Sequence, residues 1–369
     1  MQNNKTICFF NSADAWGGGE KWHLDISHLL LQNGFNVKLA ISNKSEWKNK
    51  VEIKKIPFDT FSISNLSFLN PLKILRIVSY LKQNKVHTII INLSKDLKTA
   101  GLAAKIAGVK NIVYRRGSAI PIKNSISNRH IFKHIVTTIL ANSEKTKRTI
   151  NQNNTSLFPE EKIYVVYNGL DINKFSNQTI NKIYSKNNNE LIIGNIGRIV
   201  EQKAQNKLLD LAVKLKSNNQ NFKIIIGGEG RLLDDLKKQA KEKNIEKHVI
   251  FTGFVKDVKS FMESIDVFIL SSKWEGFGYV IVEAMACKKP VIAFDISSNP
   301  EIIDHNTTGF LIPPFDIDKL SEKVTELAKD EILRKELGKN AYQRTIKLFS
   351  ISKTLEDILS LGFISECKN

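Results

Sequence analysis

Leu191-Ile192-Ile193-Gly194-Asn195-Ile196-Gly197-Arg198 is the stretch that decides the fold. A short β-branched run ends at two glycines, and an amphipathic pattern follows over residues 203–216. That is a strand, a tight loop and a helix, the opening of a βαβ unit. The same grammar recurs in both directions. Strand patterns fall at 6–11, 37–42, 87–93, 111–114, 138–141 and 163–167, then at 191–195, 222–226, 249–252, 267–271 and 290–294. Helical periodicity falls at 19–33, 71–83, 95–107, 143–152, 203–216, 231–243, 279–286 and 316–328. Alternating strands and helices predict parallel sheets covered on both faces, hence an α/β protein.

A chain of 369 residues holds two such domains at roughly 100–200 residues each. The polar, Asn-rich stretch 176–189 has no periodicity and reads as a connection. The expected division is a first domain over 1–172, a linker over 173–189 and a second domain over 190–349. A helix at about 350–369 is expected to return to the first domain. Two Rossmann-like domains facing a deep cleft would gather ligands at the carboxyl ends of their strands.

Composition narrows the class. Apolar residues make 42% and charged residues 25%, ordinary globular values that exclude wholesale disorder. No apolar run reaches the roughly 18 residues of a membrane span. The first residues carry no signal-peptide pattern, and the chain reads as a soluble cytoplasmic protein. Cys8, Cys287 and Cys367 have no metal-ligand spacing and are too few for a disulfide framework. The net charge of +18 is unevenly placed: residues 1–180 hold 26 basic and 11 acidic residues, residues 181–369 hold 29 and 26. A basic first half calls for an anionic partner. Nucleic acid is the weakest candidate, because no recognition motif or regular aromatic interleaving accompanies the charge.

Four loops carry chemistry. After the first strand, Trp16-Gly17-Gly18-Gly19-Glu20 opens a helix, and its amides suit a phosphate. It is not the dinucleotide fingerprint, because its third glycine is misplaced. Gly197-Arg198, with Lys203 beyond it, sets two cations over a strand end, where they can neutralise a diphosphate. Gly227-Gly228-Glu229-Gly230-Arg231 permits close backbone approach after another strand. Glu275-Gly276-Phe277-Gly278-Tyr279-Val280-Ile281-Val282-Glu283 brackets a glycine loop and a helix start with two carboxylates, a pattern suited to vicinal hydroxyls.

The ordered set resembles the retaining glycosyltransferases of family 4, which have the GT-B fold. Further matching segments are Asn168-Gly169-Leu170-Asp171 with Phe175, Pro290-Val291-Ile292-Ala293, Asn299-Pro300-Glu301-Ile302-Ile303 and Thr308-Gly309-Phe310-Leu311-Ile312-Pro313-Pro314. The resemblance implies transfer of a sugar from a nucleotide-diphosphate donor with retained configuration, onto a saccharide or glycolipid of the cell envelope. It implies that Arg198 and Lys203 stabilise the leaving diphosphate, that Glu275 holds the donor sugar and that Glu283 holds the ribose. The Phe277, Gly278, Tyr279 and Val280 segment would contact sugar and phosphate. Gly197, Gly228, Phe254 and Val255 would line the nucleotide, and Gly18 and Gly19 would cover the diphosphate from the first domain. Glu275 and Lys203 are then expected to be needed for turnover and not for folding.

No metal and no other cofactor is expected. Asp316-Ile317-Asp318 reads as a helix cap, and His130 and His134 read as surface or packing residues. A histidine common in the family after the strand 111–114 is replaced here by Arg115 and Arg116, which become acceptor-side candidates with Asp96. Ala204 stands where the family usually has glycine. A sugar-nucleotide epimerase or phosphorylase of the same fold is the rival reading. The basic half further suggests reversible contact with an anionic membrane. Its expected carriers are Trp47 among five lysines at 43–55, and the helix 71–82 with Lys73, Arg76 and Lys82 beside Leu72, Leu75, Val78 and Leu81.

Overall fold

The computed structural model describes residues 5–177, 179–187 and 189–368. They form two compact units, one of residues up to Gly169 with those from Ser352 onward, the other Leu170–Ile351. The chain passes from the first unit to the second at 169/170.

The first unit holds a seven-stranded sheet: β1 (Thr6–Asn11), β2 (Asn36–Ser42), β3 (Phe58–Phe61), β4 (Val86–Ile91), β5 (Asn111–Arg116), β6 (Thr138–Ala141) and β7 (Ile163–Val165), in the order β3-β2-β1-β4-β5-β6-β7. The second holds six: β8 (Leu191–Ile196), β9 (Phe222–Gly227), β10 (Val249–Gly253), β11 (Val267–Leu270), β12 (Val291–Phe294) and β13 (Gly309–Ile312), in the order β10-β9-β8-β11-β12-β13. Every pairing is parallel. In each sheet the order reverses beside its first strand, between β1 and β4 and between β8 and β11. Loops part at such a reversal and leave a crevice at the strand carboxyl ends.

The central strands are apolar throughout because both faces are covered. Phe9, Phe10, Ile89, Ile90 and Ile91 are fully buried in the first sheet, as are Ile192, Ile193, Ile224 and Phe268 in the second. Polar caps set the helix starts. Asn70 accepts from Lys73 N (3.1 Å) ahead of Pro71–Gln83, whose first residue is proline. Asp316 accepts from Lys319 N (2.8 Å) ahead of Ile317–Lys329. The chain's last segment lies against the first sheet: Thr354 Oγ1 donates to Tyr167 O (3.0 Å), and Lys110 pairs with Glu366 (2.7 Å).

Two membrane-contact expectations change here. Trp47 is fully buried, near the Trp16 ring (6.3 Å between centroids), so it belongs to the core. In Pro71–Gln83 the packed face is Ile74, Ile77, Val78 and Leu81, while Leu72 and Leu75 point to solvent.

Candidate functional site

In the second unit the reversal point is built by glycines. Gly197 N donates to Gly227 O (3.0 Å), and Gly228 N donates to Gly253 O (2.7 Å). Gly228 has φ +137°, and a Cβ there would lie 1.9 Å from Gly197 O. No other residue fits that approach. The loops after β8, β9 and β10 are thus stitched into one surface. Val255 is seated against it, since a Cβ on Gly227 would meet Val255 Cγ2 at 2.4 Å. Phe254, its neighbour, is 72% exposed, an unusual cost for a phenylalanine that nothing in the unit covers.

Across the reversal, the loop after β11 brings its carboxylate to the loop after β8. Lys203 Nζ lies 2.5 Å from Glu275 Oε1, and both side chains are largely buried. Ser272 Oγ donates to the same oxygen (2.5 Å). Three further bonds clasp the two loops: Ser271 Oγ to Lys203 O (2.8 Å), Gln202 Nε2 to Trp274 O (2.9 Å) and Lys273 N to Gln202 O (2.7 Å). Gly197 leaves room for the Lys203 stem, 3.3 Å from where its Cβ would stand. Lysine has three N–H donors, and Glu275 takes one, so Lys203 can hold the carboxylate and an anion together. Arg198 is exposed beside it.

Glu275 is followed by Gly278, which caps the helix Tyr279–Ala286 at φ +75°. The buried Phe277 ring packs edge-on against Phe349 (5.6 Å) and Tyr279 (5.8 Å). What Phe277 can offer a ligand is therefore its backbone. Val280 and Glu283 are half-buried on that helix. The structure brings Gly197, Lys203, Gly228, Val255 and Glu275 together. Ser272 and the Gln202–Trp274 clasp gave no signal in the sequence.

The first unit's reversal point is differently wired. Gly17 precedes the helix Gly18–Gln32, and a Cβ on Gly19 would lie 2.4 Å from Asn92 Nδ2 in the loop after β4. Asn11 Nδ2 donates to Glu20 (3.0 Å). Two of the acceptor-side candidates are buried and bonded within the unit. Asp96 is fully buried: it accepts from Ser12 N (2.8 Å) and from Ser12 Oγ, joining the loops after β4 and β1. Burial pushes its carboxyl up to about 6 against those stabilising bonds. Arg115 is buried as well, donating to Asn92 (2.9 Å) and Asn168 (2.7 Å) with its guanidinium 4.5 Å from the Trp22 ring centre. From β5 it ties together the loops after β4 and β7, with its side chain buried. Arg116 is partly exposed and donates to Ile120 O. The neighbouring His23 is buried and held well below its ordinary pKa, first by burial and then by Arg115.

Among the described residues, no group of three or more His, Cys, Asp or Glu is placed to hold a metal. His130 and His134 lie side by side, their rings 4.9 Å apart.

Comparison with known proteins bears on both halves. Residues 16–174 match the family described as Glycosyltransferase Family 4, and residues 176–344 match Glycosyl transferases group 1. A Staphylococcus aureus poly(ribitol-phosphate) alpha-N-acetylglucosaminyltransferase is 32% identical over 173 residues, 47% of this chain and 35% of that protein, so the match spans about a third of that relative's length. An Escherichia coli UDP-Gal:alpha-D-GlcNAc-diphosphoundecaprenol alpha-1,3-galactosyltransferase is 27% identical over 80% of each chain. The Anabaena protein HepE, solved in complex with UDP, has a TM-score of 0.82 at 22% identity, covering 96% of this chain and 98% of that one. With its two halves matched in order and its two parallel sheets shared with that neighbour, the chain belongs to the family 4 glycosyltransferases and has the GT-B fold.

Proposed function

We propose that this protein transfers a sugar, with retention of anomeric configuration, from a nucleotide-diphosphate donor to a saccharide or glycolipid acceptor of the cell envelope. The carrying observation is the second unit's reversal point, where a glycine-stitched surface meets the Lys203–Glu275 clasp with Arg198 exposed beside it. Fixed cations over a strand end stabilise charge developing on a leaving diphosphate. Glu275, held by Ser272 and Lys203, presents its carboxylate to donor-sugar hydroxyls. Glu283 takes the ribose, the Phe277–Tyr279 amides meet sugar and phosphate, and Phe254 with Val255 meets the base. The first unit takes the acceptor. The UDP-Gal donor and GlcNAc-diphosphoundecaprenol acceptor named for one relative, and the poly(ribitol-phosphate) named for another, support this substrate class.

The test is a panel of nucleotide sugars with the purified chain, following nucleotide release and the anomeric configuration of the product. Release of UDP or another nucleoside diphosphate with an α-linked product from an α-donor is expected. Interconversion of the donor sugar without transfer would instead make it an epimerase, and inverted product would refute retention. The reading gives the diphosphate charge to Arg198 and Lys203, so turnover is expected to persist in EDTA. Complete loss in chelator that a divalent metal restores would overturn that part.

A further inference from the structure

A cavity of about 510 Å³ opens in the first unit between the helix Ile126–His134 and the segment that leads into β7. That size suits a small organic ligand. Arg129, Phe132, Lys133 and Val136, spaced at i, i+3, i+4 and i+7, put one helical stripe on its wall. The helix feeds β6 and the facing segment feeds β7, so the cavity lies at the amino ends of these strands. The reversal point of the same sheet lies at the carboxyl ends, and the cavity is therefore a separate place in the unit.

The wall facing the helix is fixed by its own hydrogen bonds. Asn151 Nδ2 donates to Phe158 O (2.8 Å), and Asn151 Oδ1 accepts from Phe158 N (3.1 Å). Leu157 N donates to Asn154 O (3.0 Å), and Asn153 Nδ2 donates to Ile122 O (3.1 Å). The floor is apolar: Phe132 and Phe158 are buried and meet edge-on, 6.3 Å between ring centres. The rim is cationic. Arg129, Lys133 and Lys162 are exposed, and none of the three side chains has an ion pair or a hydrogen bond among the described residues. No carboxylate lines the cavity, and the nearby Glu160 pairs with Lys147 instead (3.9 Å). Three like charges around one hollow repel one another, and a bound anion relieves that repulsion.

We propose that this cavity binds a sugar phosphate, the phosphate meeting Arg129, Lys133 and Lys162 and the sugar ring lying on the Phe132–Phe158 floor. Guanidinium and ammonium groups are the side chains that take phosphate. Asn154 and Ser156, which also line the cavity, offer partners to the sugar hydroxyls. An apolar floor with a few convergent polar groups is how small-molecule sites are generally built. A wall already held by hydrogen bonds needs little ordering when the ligand arrives. The site is independent of the transferase reading, because it needs neither donor nor acceptor.

The experiment is calorimetric titration of the full chain with glucose 1-phosphate, glucose 6-phosphate and inorganic phosphate, at low and high salt, with and without excess UDP. Saturable binding of a sugar phosphate is expected, unchanged by UDP, weakened by salt and at least about tenfold tighter than inorganic phosphate. Arg129→Gln/Lys133→Gln should weaken it at least about tenfold, the scale of lost charge-assisted bonds. Ser156→Trp, which fills the cavity without altering charge, should abolish it. These three side chains are exposed, so both variants should keep the thermal transition of the unliganded chain, and the ligand should raise it in the wild type alone. No saturable binding of either sugar phosphate, or wild-type binding by either variant, would overturn the proposal. Inorganic phosphate binding as tightly as the sugar phosphates would reduce the cavity to a bare anion site and overturn it. A signal that UDP removes would assign the ligand to the second unit and overturn it equally.

Discussion

Removing Lys203 alone and removing it together with Glu275 should give opposite lessons about stability and the same lesson about catalysis. In Lys203→Met the Glu275 carboxylate keeps only the Ser272 hydroxyl among its partners named above, and its side chain has 7% of its surface open to water. Breaking a buried pair from one side costs roughly 3–5 kcal/mol. Lys203, at 15% exposure, makes this site slightly wetter, so about 2–3 kcal/mol is the expected loss. Glu275→Gln strands a cation that can reach water, and about 1–2 kcal/mol is expected. The double variant Lys203→Met/Glu275→Gln leaves no unpaired charge, so it should be more stable than the sum of the singles by about 2 kcal/mol. For a unit the size of Leu170–Ile351 that coupling is about 4–8 °C in Tm, readable by scanning calorimetry on the whole chain. Each of the three variants should lose at least about two orders of magnitude in kcat, measured well below its transition. Stability effects that simply add, or a Glu275→Gln enzyme with wild-type kcat, would refute the reasoning. On these numbers the double variant still loses about 1–3 kcal/mol, less than the sum of the singles, so the reasoning predicts a modest folding role for the pair beside its role in turnover.

Gly228→Ala should cost at least about 2 kcal/mol and weaken nucleotide binding, because the new Cβ collides with Gly197 O, while Gly253→Ala, at φ +69° in open space, should cost only about 1 kcal/mol; equal losses by calorimetry would refute the collision argument. The Asp96 carboxyl, raised to about 6 where an unfolded aspartate titrates near 3.9, binds its proton more tightly when folded, so its stabilising contribution is present at low pH and is lost as pH rises through about 4–6, on the order of 3 kcal/mol in all. Asp96→Asn should remove that fall, and Tm–pH curves of wild type and variant that run parallel would refute it. Cys8, Cys287 and Cys367 are all buried, with burial pushing the Cys8 and Cys287 thiols up to about 12, so iodoacetamide should label none of them in the native chain at neutral pH; rapid labelling of Cys367 alone would show that the last segment leaves the first sheet.

The strands were legible wherever both faces are buried, since nothing but a run of β-branched residues suits that environment. β1 and β6 are placed at their observed bounds, and Leu191–Ile196 differs from its expected range by one residue. The two missed strands are edges: Phe58–Phe61 carries Asp59 on an exposed position, and Gly309–Ile312 opens on a glycine whose Cβ would lie 2.0 Å from Val291 O. The eight expected helices are present but differ in continuity, while Ile126–His134 and the 19-residue Glu331–Phe349 lie outside every expected range. The segment 95–107 contains a π turn at Leu97–Gly101, and the helix expected from 203 begins at Asn206 because Ala204 takes a left-handed φ of +46°. That conformation explains why glycine is usual at this position. The donor-side charges were legible because they follow strands at the sheet reversal. Asp96 follows a strand and Arg115 sits near the end of one, yet their partners Ser12 and Asn168 lie 84 and 53 positions away, and no local pattern reveals such a bond.

That contrast separates the two uses of charge in this chain. Both units have the same strand order about their reversal points, yet the first turns its charges inward there and the second leaves Arg198 outside. The excess of cations in the first half is therefore not concentrated at its reversal point. Arg115 and Lys95 are engaged by carbonyl and amide oxygens, while Lys82, Lys85, Lys105, Lys123, Arg129 and Lys133 are exposed elsewhere. Exposed, mutually repelling cations stabilise neither a fold nor a transition state; they act through the field they project over about a Debye length. The first half thus closes its charges inward at its reversal point and carries its excess elsewhere on its surface, whereas the nearly neutral second half keeps Arg198 exposed and Lys203 paired with Glu275 at its own.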